Sequence, residues 1–176
     1  MIPGQRHDPS KPFTPTFDRM LWTPRDVVTY YSVQTIEELG QLGVVIARRM
    51  RQPLGQVCGP ITSGGSGNVT ENIRTINEWV NCLESKGLPI FNQLNFHSAI
   101  VRLHREGKLP DMGEQLLNGF FLPLFENRIL QKVLFVPNWQ GSFGTAWERK
   151  KAAEFGIDII DLPASMNITA ATMLRW

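Results

Sequence analysis

The sequence predicts an α/β fold, a mainly parallel sheet of four or five strands wrapped by helices, preceded by an N-terminal arm and helix. Two observations predict it. Short apolar runs of strand length alternate with longer stretches whose apolar residues recur at helical spacing. The changes between them fall at Gly, Pro, Asn and Ser, the residues that cap elements and turn the chain. Strands that alternate with helices form a parallel sheet, because parallel neighbours need a crossover long enough to hold a helix.

The elements follow in order. The segment to about Pro24 is rich in Pro and polar residues and shows no period; it reads as an extended arm that packs through Phe13, Phe17 and Trp22. Thr35 to Arg51 predicts a helix, with Ile36, Leu39, Leu42, Val45 and Ile46 at helical spacing and Arg48, Arg49 and Arg51 at the negative end of its dipole. Gln56 to Ile61 predicts a buried strand, followed by a Gly/Ser loop from Thr62 to Gly67. Asn68 and Glu71 have capping-box spacing, so a helix opens there, turns Ile73, Ile76, Trp79, Val80 and Leu83 to one face, and stops at Gly87. Leu88 to Phe91 is a second strand, Asn95 to Arg105 and Met112 to Asn127 are helices, and Val133 to Val136 is a third strand. The loop Pro137 to Phe143 leads into a helix from Gly144 to Phe155, a fourth strand from Ile157 to Ile160, and a last helix within Ser165 to Trp176. Residues 1–54 form the arm and first helix, and residues 55–176 the α/β domain.

Composition narrows the function. The chain has 176 residues, of which 42% are hydrophobic and 19% charged, as in ordinary globular proteins. A chain of this size buries roughly two-thirds of its unfolded surface and needs neither disulfide nor metal to fold. Its 18 basic and 16 acidic residues give a net charge of +2, too balanced for a nucleic-acid binder of the electrostatic kind, although a phosphate pocket needs only a few donors. The two cysteines, Cys58 in an apolar run and Cys82 on a helix, form no CxxC or His/Cys cluster and read as reduced buried thiols. No metal site and no cofactor is expected. Met1 to Lys11 lacks the apolar core of a secretory signal and no run has membrane-spanning length, so a cytoplasmic protein without membrane contact is expected.

In a parallel sheet, ligands bind beyond the carboxyl ends of the strands, where strand order reverses. Two loops occupy such a place. The first is Gly59-Pro60-Ile61-Thr62-Ser63-Gly64-Gly65-Ser66-Gly67, whose small residues leave backbone N–H groups free to cradle a phosphate. It lacks both GxGxxG spacing and a P-loop lysine, and a plain surface loop explains its composition as well. The second is Val136-Pro137-Asn138-Trp139-Gln140-Gly141-Ser142-Phe143-Gly144, with Ser142 and Gly144 at a helix start, where an anion is favoured. Glu148 follows about one turn in, where the dipole favours the ionised carboxylate that a nucleophile requires. The plain alternative is a surface glutamate paired with Lys151.

The run Trp139-x-x-Ser142-x-Gly144-x-x-x-Glu148-x-x-x-Ala152 after an apolar strand, preceded by Cys58-Gly59-Pro60-Ile61-Thr62, resembles the signatures of the nucleoside 2-deoxyribosyltransferase-like superfamily. The match spans Gln56 to Leu162 in the expected order. The resemblance implies a flavodoxin-like, Rossmann-like three-layer sandwich. It also implies cleavage of an N-glycosidic bond through a covalent glycosyl-glutamate, with Glu148 at the nucleophile position. Ser142 stands where relatives acting on nucleoside 5′-monophosphates carry a phosphate-binding serine and those acting on free nucleosides carry an aspartate. The Thr62-Ser63-Gly64-Gly65 loop is similar to the phosphate loop of the former. The resemblance therefore implies a nucleotide hydrolase, with base exchange by a deoxyribosyltransferase, or a nucleotide sensor without turnover, as alternatives. Substrate contacts are expected from Gly59, Ile61, Thr62, Ser63, Gly64, Gly65, Asn92, Trp139, Ser142 and Gly144. Trp139 serves either as a stacking surface or as a core residue. His97 is a candidate general acid beside Asn92 and Asn95. The sequence departs from the pattern at Leu130-Gln131-Lys132-Val133, where relatives often carry an aspartate. A small-molecule nucleotide partner, no direct nucleic-acid contact and a homo-oligomer are expected.

Overall fold

Polar side chains at Thr23, Thr35, Asn68 and Ser142 each accept a hydrogen bond from the first turn of the helix that follows them, so four helix starts are encoded locally. The structure, a computed structural model, describes residues 15–166. Phe13 and the helix expected beyond Met166 lie outside the described residues. Phe17 and Trp22 do pack inward as expected, with ring centroids 4.7 Å apart, and Trp22 lies against Tyr30 and Phe96.

Helix α1 (Pro24–Ser32) was not foreseen. Its start is well marked: Thr23 and Asp26 form a capping box and Pro24 sits at the first helical turn. Its apolar period is hidden because only Asp26 and Tyr30 are buried, while Val28 and Tyr31 are exposed. Burial would raise the Asp26 carboxyl, but hydrogen bonds from Arg49 and Thr23 outweigh it and hold the group at about 2. That ion pair ties α1 to α2 (Ile36–Arg49), which buries Ile36, Leu39, Leu42 and Ile46 and leaves Val45 at the surface.

Three strands form the sheet, β1 (Gly55–Cys58), β2 (Lys132–Phe135) and β3 (Asp158–Asp161), all parallel in the order β1-β2-β3. The expectation of four or five strands is corrected among the described residues. Leu88–Phe91 makes only a single bridge, Ile90 to Gly55. Pro89 has no N–H to donate to a ladder, and Asn92 at once caps a 3-10 turn over Gln93–Phe96. β1 also stops earlier than expected, at Cys58, two residues before Pro60. The bridge lies on one side of β1 and β2 on the other, so the chain steps first one way and then the other from β1. Strand order therefore switches at the carboxyl ends of β1 and β2.

Side chains alternate across the sheet. Val57, Leu134 and Ile160 meet Ile76, Trp79, Val80 and Leu83 of α3 (Val69–Ser85). Cys58, Val133 and Phe135 face the larger core, shared by α1, α2, α4 (His97–Arg105), α6 (Leu122–Glu126) and α7 (Phe143–Phe155). The single helix expected over Met112–Asn127 is divided. A short α5 (Glu114–Leu116) passes into a π-helical turn at Leu117–Phe121, where the Leu122 N–H reaches Leu117 O, before α6. Pro123 explains the widening, since it cannot donate to the Gly119 carbonyl four residues back. α2 packs tightly on that carbonyl, for a Cβ on Gly40 would lie 2.1 Å from it. Among the described residues no helix is long and apolar enough to cross a membrane.

Candidate functional site

Gln56 and Cys58 are two residues apart on β1 and so point to one face of the sheet, the face that α7 covers. There the Gln56 amide donates from Nε2 to Glu148 Oε1 at 2.9 Å, and the same nitrogen lies 3.6 Å from Cys58 Sγ. Glu148 is 6% exposed. Loss of water pushes its carboxyl up to about 8, against the opposing hydrogen bonds from Cys58 and Gln56. Two expectations are thereby corrected. Glu148 is no surface glutamate, since Lys151 pairs instead with Glu154 at 2.7 Å. Nor does the helix dipole keep it ionised. It is the sixth residue of α7, and a dipole field that fades within the first turn loses to desolvation. Burial therefore favours the protonated carboxyl. Cys58 is pushed up as well, by burial and by the neighbouring Glu148 charge, so its thiol stays neutral.

The two loops meet beside this carboxyl's helix. Gly64 adopts φ +73°, and a Cβ there would lie 2.6 Å from the Gly141 carbonyl group and 2.8 Å from Ser142 N. The first loop is shaped by Asn72 of α3, which is buried. Its Nδ2 donates to the carbonyls of Ile61 and Gly64, both at 3.2 Å, while its Oδ1 accepts from Ser66 N and Oγ, both at 3.0 Å. Among the described residues the N–H groups of Thr62, Ser63, Gly64 and Gly65 donate to no backbone or side-chain acceptor. Ser142, also buried, caps α7 by accepting from Thr145 N–H at 3.4 Å. The fold joins the first loop, which carries Gly59, Ile61, Thr62, Ser63, Gly64 and Gly65, to the second at Gly64, against Gly141 and Ser142. Glu148 lies farther along α7 against Gln56 and Cys58, and Gly144 approaches Leu117. Their roles differ. Ile61 packs on the smaller core, Gly59 lets β1's exit approach Val136, and Thr62 and Ser63 are exposed.

Other expected site residues have structural partners, and Trp139 lies in the second loop itself, where its carbonyl accepts from Ser142 N–H at 3.0 Å. Asn92 accepts from Leu94 N–H at 3.1 Å and caps the 3-10 turn, and Asn95 Oδ1 accepts from Thr16 N–H at 3.1 Å, tying down the arm. His97 opens α4 without a hydrogen bond to Glu148 or Ser142 among the described residues, and burial lowers its pKa. Trp139 has one ring face covered: the Arg149 guanidinium lies 4.7 Å over it and 4.9 Å over Phe135, held by Asp161 at 2.6 and 3.0 Å. A base stacking on that face would have to displace Arg149. Lys132, in the stretch that lacks the expected acid, pairs with Asp158 of β3 at 3.0 Å.

Sequence reasoning passed over Gln56, Asn72, Gln93 and Thr145. Gln93 donates to Val57 O at 2.6 Å, at the edge of β1. The oxygens Gln56 Oε1, Gln93 Oε1 and Thr145 Oγ1 are buried without a hydrogen-bond partner. The signals were slight: one amide inside an apolar strand, and one threonine three residues before the glutamate. Among the described residues no group of three His, Cys, Asp or Glu could hold a metal. Fold and site define a parallel α/β protein with a carboxyl buried against its first strand and two loops joined at Gly64. Comparison with protein-family models, with curated proteins and with solved structures returned no match.

Proposed function

We propose that the chain is a flavodoxin-like three-layer enzyme that cleaves the N-glycosidic bond of a nucleoside 5′-monophosphate. The observation that carries this reading is the burial of Glu148 against Gln56 and against Cys58, the last residue of β1, on the strand from which strand order switches. Such a place in a parallel sheet is a ligand position, and a desolvated carboxyl there is a group poised for chemistry. The N–H groups of Thr62 to Gly65 and the start of α7 supply donors for a 5′-phosphate. As the anion, Glu148 attacks the anomeric carbon. The base leaves with the glycosidic electron pair, and water then cleaves the glycosyl ester and regenerates the carboxyl. The anion is the attacking form, so the rate of base release rises with pH towards about 8.

Incubation with a panel of nucleoside 5′-monophosphates, with and without an acceptor base, tests the reading. Free base with no exchange product is the expected result; an exchange product would indicate transfer. Full turnover by Glu148→Ala would remove the mechanism.

A second reading, a nucleotide-binding protein without turnover, is favoured by two features: the burial that favours a protonated Glu148, and a lysine, Lys132 paired with Asp158, in place of an acid. Calorimetric binding of intact nucleotide with no base released between pH 6 and pH 9 would select it.

A further inference from the structure

Two of the buried atoms without a partner belong to residues placed next to Glu148, one bound to its carboxyl through the other atom of its amide and one a turn earlier on the same helix. Gln56 Oε1 belongs to the amide whose nitrogen holds Glu148, and Gln56 is fully buried. Thr145 Oγ1 belongs to a residue 1% exposed, three positions before Glu148 on α7, so the two side chains share one helix face. A threonine inside a helix normally turns its hydroxyl back to the carbonyl four residues earlier. Thr145 has no such bond, and its own N–H is taken by the Ser142 cap. A buried polar group without a partner costs free energy, so two on residues next to Glu148 call for an explanation in terms of what they bind.

Their chemistry is complementary. The amide oxygen can only accept, whereas the threonine hydroxyl can donate. One hydroxyl group satisfies both, donating to Gln56 Oε1 and accepting from Thr145 Oγ1; a methylene satisfies neither. Resting on the function proposed above, we infer that Gln56 and Thr145 form a subsite for the pentose 2-hydroxyl, and that Thr145 selects ribose over 2-deoxyribose. Glu148 addresses the anomeric carbon, and C2 is the neighbouring ring carbon that carries a hydroxyl, so its substituent lies against the residues placed next to Glu148. Both atoms are closed to bulk water in the free chain, so a ligand reaches them only by displacing what covers them. A site with buried hydrogen-bonding groups rejects the analogue that lacks the matching hydroxyl, because the groups are then left unpaired.

The test is titration calorimetry of the full chain with ribose 5-phosphate and with 2-deoxyribose 5-phosphate, which needs no turnover. Ribose 5-phosphate is expected to bind roughly tenfold or more tightly than the deoxy sugar. Thr145→Val should abolish the preference by weakening only the ribose compound, and Thr145→Ser, which keeps the hydroxyl, should retain it. Equal affinity of the natural chain for the two sugars overturns the inference while leaving the phosphate reading intact, since the pair then holds no more than water. A preference undiminished in Thr145→Val overturns the role of Thr145. Binding of neither sugar overturns the inference together with the function on which it rests.

Discussion

The Gln56 amide of β1 donates to Glu148 of α7 across the sheet face, and this bond joins the first strand to the helix that carries the candidate nucleophile. It is made within a site that raises the carboxyl rather than lowers it. The proton of Glu148 is therefore the quantity on which stability and activity both turn.

Stability should fall with rising pH on account of Glu148. Its unfolded value is near 4.5 and its folded value is about 8. Below the lower value both states hold the proton and nothing is lost. Between the two, the unfolded chain ionises while the folded chain does not, which favours unfolding by up to about 1.4 kcal/mol per pH unit. Glu148→Gln should flatten this dependence and raise the melting temperature at pH 8 relative to the parent. Thermal melts followed by circular dichroism from pH 5 to pH 9 read the difference; parallel curves for the two chains would contradict it.

Activity should have the opposite slope. If Glu148 attacks as the anion, base release climbs to a plateau above about pH 8. Gln56→Leu removes a donor that favours the anion, so the midpoint of the profile should move to higher pH. A rate profile that declines through pH 8 would instead mark Glu148 as a proton donor to the leaving base.

Gly64→Ala should part the two loops. The position has φ +73°, and the added methyl would meet the Gly141–Ser142 backbone at 2.6 to 2.8 Å. A cost of roughly 1–3 kcal/mol is expected from strain alone. Phosphate affinity by calorimetry should drop by more than tenfold. Gly67→Ala, also at positive φ but with nothing near its Cβ, separates backbone strain from loss of the loop contact. Equal effects of the two substitutions on phosphate binding would dismiss the contact.

Gly40→Ala should destabilise the fold, although alanine is the better helix former. Its methyl would lie 2.1 Å from the Gly119 carbonyl oxygen, backbone against backbone, so α2 must move off the π-helical turn. Overpacking of this kind costs roughly 1–3 kcal/mol, more than the helix propensity gained. Urea denaturation measures the loss; an unchanged midpoint would show that the two helices separate freely.

The helix start at Asn68 was legible because a cap is a local event between a side chain and an N–H two or three residues on, whereas the caps at Thr35 and Ser142 emerge in the structure. The parallel α/β pattern was legible because burial of the strands leaves apolar runs. Leu88–Phe91 read as a strand for the same reason, yet Pro89 and the Asn92 cap leave it one bridge. Helix α1 escaped notice because it is short and one of its two buried residues is charged: Asp26 is paired with Arg49 from 23 residues away.

The sequence by itself determined the cap at Asn68, the alternation of strand and helix, and the two small-residue loops, one of them leading to Glu148. Only the tertiary structure decided the state of that glutamate. Its ionisation depends on how much water the packed core removes and on which groups β1 presents to it. Neither Gln56, 92 residues away, nor the burial itself is visible in the residues around position 148. The same holds for Asn72 and Gly64: the bonds and close approaches that shape the first loop form only once β1, α3 and the start of α7 are packed together.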